Sequence, residues 1–176
     1  MNSKFALICL LLGLSCLSPK AYAQLRTVAQ VDGAQYVGTW YQIANNPMVF
    51  DMNCKCSRQV MTGQEDLNLG VYNTCTDTLT GLLREVHGTA TPNDGTYAQY
   101  TVDFGQPWKG QYWIIGLAND YRYAVVSEPT MQSLFILSRT PTMTPEDYDA
   151  AVGIAAEQVA VGKLQITDQL GCSYPQ

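Results

Sequence analysis

The sequence predicts an all-β fold of consecutive antiparallel strands, followed by a single helix near the C-terminus. Two observations carry that reading. Hydrophobic alternation of period two runs through most of the chain after residue 24, and turn residues recur roughly every eight to twelve positions. A third observation confines the helix: apolar residues three and four apart recur over 148–159 only.

The first strand is expected over 36–44, through Trp40. Strands over 56–62 and 67–75 flank Gly63-Gln64-Glu65-Asp66, a four-residue hairpin loop. On the second of these, Leu67, Leu69, Val71, Asn73 and Cys75 share one face, because successive strand side chains alternate. Strands over 82–91, 97–104, 111–118, 123–127 and 134–138 bring the number to eight, with Pro92-Asn93-Asp94-Gly95 and Asn119-Asp120 as turn chemistry between them. Thr144 then caps a helix, Pro145 fits its first position, and Asp147 sets negative charge against the N-terminal dipole. Tyr148, Val152, Ala155, Ala156 and Val159 form its apolar stripe, and Gly162 is placed to end it. A short last strand over 164–167 follows.

Eight strands and one helix fit either a sandwich or a closed barrel. Closure removes unpaired edges, and eight strands leave room for one small ligand, but periodicity alone does not choose.

The first 23 residues read as a signal peptide: Lys4, an apolar run over 5–17, and the small-residue site Ala21-Tyr22-Ala23 before Gln24. That run is too short to span a bilayer of about 30 Å. A lipid anchor at Cys16 is disfavoured, since Gly13 stands where a branched apolar residue is usual. Residues 24–176, with no repeat or linker, are expected to form one domain. Lys4 and Lys20 leave with the signal, so ten basic residues fall to eight against fifteen acidic, a net charge of −7. Such a field argues against nucleic acid or an anionic membrane as main partner. Cys54, Cys56, Cys75 and Cys172 remain; an even count in an exported chain suggests two disulfides of open connectivity. Zinc is disfavoured, because Cys54 and Cys56 lack the two-residue spacer and His87 is the only histidine.

Gly38-Thr39-Trp40, Asn119-Asp120-Tyr121 and Arg139 resemble, in that order and spacing, the three signature regions of the lipocalins. Segments 31–45, 71–73, 88–92, 112–114, 121–126 and 136–141 are similar to the branch holding bacterial lipocalins and apolipoprotein D. One departure is Asn119, where Thr is usual. The resemblance implies an eight-stranded antiparallel up-and-down barrel, closed at one end, with the helix packed outside. It gives Trp40 and Arg139 a structural role, guanidinium over indole at the barrel base, with Gly38 leaving room and Asp120-Tyr121 forming the adjoining turn. It also pairs Cys56 with Cys172, leaving Cys54 for Cys75. A hairpin centred near Gln64 and Glu65 points the same way, by setting Cys54 opposite Cys75, unless a bulge intervenes.

The resemblance further implies that the cavity does the work. Val71 and Asn73 match the inward face of the third strand, and Phe135 a pocket aromatic on the eighth. Tyr100, Trp108 and Tyr112 are candidates near the mouth. Their alternative is simple filling of a small β-core. A buried Asn73 amide must find partners, in a ligand or within the wall. The function expected is binding of a small hydrophobic ligand, a fatty acid or lysophospholipid, for transport, storage or scavenging. No cofactor, metal or catalytic residue is expected, and association into a homodimer is left open. The alternatives are an enzyme using a cavity thiol, or an envelope or secreted interaction protein with a vestigial cavity. The expected location is the periplasm, the cell envelope or the outside of the cell.

Overall fold

The computed structural model describes residues 24–64 and 67–174 of the chain. The segment expected to be a signal peptide, with Cys16, lies outside the described residues, as do Glu65 and Asp66 of the first hairpin.

A short helix, α1 (Gly33–Tyr36), precedes nine strands: β1 (Gly38–Asn45), β2 (Cys54–Gly63), β3 (Leu69–Asp77), β4 (Leu83–Pro92), β5 (Gln99–Asp103), β6 (Gly110–Leu117), β7 (Tyr123–Ser127), β8 (Leu134–Ser138) and β9 (Gln165–Ile166). Helix α2 (Pro145–Ala156) sits between β8 and β9. Strands β2 to β8 pair in sequence, β8 pairs with β1, and β1 pairs back onto β2, so the sheet closes. The result is an eight-stranded antiparallel barrel with one added strand. Strand alternation sorts its side chains into two layers. Trp40, Met61, Leu69, Val71, Ala90, Tyr100, Ile114, Val126 and Leu137 fill the inside. Ile43, Ile115, Tyr123, Val125, Leu134 and Ile136 face outward and pack with Ala151, Ala155 and Val159 of the α2 region. Every residue of β7 is buried, because barrel and helix cover both its faces. Gly116 permits that close approach: a Cβ there would lie 2.6 Å from Ile154 Cγ2.

Two seams close the barrel in different ways. Over Gly38 to Tyr41, β1 pairs directly with β2. Beyond Tyr41 the strands part, and the C-terminal tail fills the gap. Ile166 and Gln165 pair with Ala44 and Asn45, and Thr167 N–H donates to the Ile43 carbonyl. The Gln169 amide then donates to the carbonyls of Gln42 and Ser57 at 2.8 and 2.7 Å. Cys56, at φ +56°, turns its N–H out of the ladder to the Asp168 carbonyl, at a register shift between Lys55 and Arg58. That bulge aims Cys56 at the tail, where it bonds Cys172, while Cys54 bonds Cys75.

Several expectations need correction. The strand expected from Tyr36 starts at Gly38, because Asp32 accepts from Ala34 N–H and folds Gly33–Tyr36 into a helical turn. Leu67 is exposed at φ +64°, outside β3. Gly63 opposes Leu69 and Cys54 opposes Asp77, so the hairpin is longer than four residues and its register does not set Cys54 against Cys75. The bulge brings those two Cα atoms to 5.5 Å instead. Helix α2 ends at Ala156, well before Gly162, and its buried residues are Ala151 and Ala155; Ala156 is exposed. Thr144 caps it as expected, accepting from Asp147 N–H.

Candidate functional site

The closed end is built around Trp40. Its indole is fully buried and donates to the Tyr36 carbonyl at 2.9 Å. The Arg139 guanidinium lies 3.7 Å from the indole centroid. It donates to the carbonyls of Gln35, Val37, Thr39 and Tyr121. Burial lowers the Arg139 pKa from its ordinary value, and the ring of carbonyls meets its charge with dipoles instead of a carboxylate. Gly38 sits at φ +105°, and a Cβ there would come within 3.3 Å of Arg139 Nη1. Tyr121, at φ +60°, accepts from Asp32 N–H at 2.8 Å. Asp120 holds Arg122 at 2.8 Å, and Arg122 forks onto Asp147 of α2 at 2.7–3.0 Å.

Above this base a hydrogen-bonded bar crosses the lumen. Tyr112 on β6 donates to the Gln59 side-chain carbonyl on β2 at 3.2 Å, although these strands are not neighbours. The Tyr36 and Tyr112 phenols lie 2.7 Å apart. With the Tyr112 proton given to Gln59, Tyr36 is the donor in that pair. Burial raises the pKa of both phenols, so both stay neutral at any physiological pH. Beneath the bar Trp40, Met61, Leu69 and Ile114 are completely packed.

Above the bar inward side chains keep part of their surface exposed. Asn73 stands opposite Gln59 and opposite Val86, which shares its inward face and is 39 % exposed. Phe135 is half-buried, with the Phe50 ring 6.4 Å away on the β1–β2 loop. Phe104 covers Gly88, where a Cβ would lie 2.5 Å from its ring. At the rim, Arg84 donates to the carbonyls of Phe50 and Met52 at 2.7 and 2.9 Å and so ties that loop down.

The structure therefore brings Asn73, Tyr112 and Phe135 to the open half of the lumen. Val71 and Tyr100 lie inside but are buried, at 3 % and 0 % exposure. Trp108 is 71 % exposed on the β5–β6 loop, which the Lys109–Asp103 ion pair bridges at 3.1 Å. Gln59, Tyr36 and Arg84 escaped the sequence reading. Gln59 had a signal, since it lies two residues from Met61 on one strand and so shares its inward face. Cys54 and Cys56 enter separate disulfides, and no group of His, Cys, Asp and Glu among the described residues could hold a metal. His87 lies outside the barrel, stacked on Tyr72 at 4.3 Å. The outer surface carries a groove of about 640 Å³ between α2 and the tail, lined by Met143, Tyr148, Ile166 and Leu170 among others.

A closed barrel with an indole–guanidinium base and an apolar-walled opening defines a lipocalin. The family model described as a lipocalin-like domain matches residues 31–169, and the chain belongs to that family. It is similar to the outer membrane lipoprotein Blc of Citrobacter freundii, 31% identical over 89% of this chain and 90% of the relative. Blc of Escherichia coli K12 is 30% identical over 82% of each chain. Among solved structures, insecticyanin from the tobacco hornworm Manduca sexta superposes with a TM-score of 0.66 at 20% identity, over 82% of this chain and 84% of that one, which shows the fold.

Proposed function

We propose that the open half of the barrel binds a single-chain acyl lipid, a fatty acid or lysophospholipid, for transport, storage or scavenging. The carrying observation is the division of the lumen at the Tyr112–Gln59 bar: packed below, and lined above by Val86, Phe104 and Phe135 with exposure left over. Burying acyl surface there contributes about 25 cal/mol per Å². Membership in the lipocalin family supports a small hydrophobic ligand. Binding, not catalysis, is the reading favoured, because the four cysteines of the domain are tied in disulfides and the buried phenols have no base beside them. Those disulfides fit an oxidising compartment, and with the signal-like leader and the Blc relatives they support export to the cell envelope or beyond. Among the described residues no helix is long and apolar enough to cross a membrane.

Titration of delipidated protein with palmitate and lysophosphatidylcholine tests this. One saturable site is expected, and Phe135→Ala should weaken it about tenfold, the effect of losing roughly 1.4 kcal/mol of apolar contact. Absence of saturation with either lipid refutes the proposal.

A further inference from the structure

We infer that the floor of the cup recognises an uncharged oxygen group at the inner end of the ligand: an alcohol hydroxyl, or a carboxyl bound in its protonated form. The inference rests on the acyl-binding reading and deepens it. Each end of the bar has an inward polar neighbour. Gln59 opposes Asn73 across β2 and β3, and Tyr100 opposes Tyr112 across β5 and β6. The bar uses the Gln59 carbonyl and both phenols of Tyr36 and Tyr112. Left over are Asn73 Oδ1, a buried acceptor, and the phenol of fully buried Tyr100, both without a hydrogen-bond partner. A buried polar atom left unpaired costs free energy, whereas a ligand that supplies its partner recovers it. One donor and one acceptor on a single ligand group describe a hydroxyl or a neutral carboxyl, not a carboxylate, which only accepts.

Charge argues the same way. The groups facing the floor are phenols from α1, β5 and β6, the Tyr97 phenol just before β5, and amides from β2 and β3. Arg139 is the nearest cation, but it lies below Trp40 with its N–H groups committed to carbonyls. Burial pushes the Tyr100 phenol up to about 12 and raises Tyr36 and Tyr112 as well, so the floor already disfavours anions. No floor group titrates between pH 6 and 8. Arg84 with Asp77 is at the rim, and His87 is on the outer face.

The test is displacement of an oxygen-free apolar fluorescent probe, N-phenyl-1-naphthylamine, by 1-dodecanol and dodecanoate between pH 8 and 6. Dodecanol should displace it equally at both pH values. Dodecanoate should gain about tenfold in apparent affinity per pH unit of acidification, because only its protonated fraction binds. Tyr100→Phe, which removes one oxygen, should weaken dodecanol by about fivefold to tenfold more than it weakens the probe. Asn73→Leu should do the same. A pH-independent dodecanoate affinity overturns the inference, as does a Tyr100→Phe effect that is absent or equal for probe and alcohol. If neither probe nor lipids saturate, the acyl-binding reading falls and takes this one with it.

Discussion

The two ends of the barrel spend their polar groups differently. At the closed end each one is matched: the guanidinium of Arg139 meets four carbonyls, the Trp40 indole meets the Tyr36 carbonyl, and Asp120 and Asp147 share Arg122. In the open half, β1 and β2 separate, the tail has to complete the wall, and Asn73 keeps an unpaired atom, as does Tyr100, buried beside Tyr112. The lesson is a division of labour. One end holds the sheet in register so that the other can leave contacts unmade for a ligand.

The strongest way to break that comparison is Trp40→Ala. Removing a fully buried indole should cost about 3–5 kcal/mol in denaturant unfolding, and it should do so whether or not ligand is present. A loss below about 1 kcal/mol would mean the base is not what holds the barrel.

Next comes the double change Cys56→Ser with Cys172→Ser. It frees the tail from the upper seam and should cost about 2–4 kcal/mol. Unlike Trp40→Ala, it should also raise ligand dissociation rates under conditions where the protein stays folded, because the tail forms part of the cup wall. Unchanged off-rates in stopped-flow dilution would show the seam to be irrelevant to the cup.

Much of the architecture was legible in the sequence, and the reasons are local. Strands β7 and β8 fall where alternation sets them, and the Thr144 cap needs only its own neighbours. What escaped depends on long-range contacts. The bulge at Cys56 exists because the tail, more than a hundred residues away, takes its N–H. The bar from Gln59 to Tyr112 joins strands that never pair, so no local pattern encodes it. Asn73 was visible as an inward amide, yet nothing in the chain could tell that its carbonyl would be left without a partner. Trp108 is expected at the mouth, and its side chain is 71 % exposed on the β5–β6 loop.

A smaller effect sharpens the closed end. Arg122 lowers the pKa of Asp147 below its ordinary 3.8, so the folded carboxylate stays charged where the unfolded one is protonated. Its contribution is therefore complete above that pH and fades as pH falls through the depressed value. Wild type should outlast Asp147→Asn in thermal melts at pH 6, and the two should converge in strong acid. A difference that grows with acid would reverse the sign and contradict the assignment.

The smallest effect belongs to the lumen. Without ligand, Tyr100→Phe removes an unpaired buried oxygen, so it should leave the melting temperature unchanged or raise it, by at most about 1 kcal/mol of stability. A clear loss would reveal a partner for that phenol.

A crystal structure with a bound twelve-carbon alcohol would test the central claim most directly. The account predicts density for one chain above the Tyr112–Gln59 bar, between Val86 and Phe135, with its oxygen toward Asn73 and Tyr100. Density lying instead in the outer groove beside Met143, Tyr148 and Leu170, with the lumen unchanged, would contradict it.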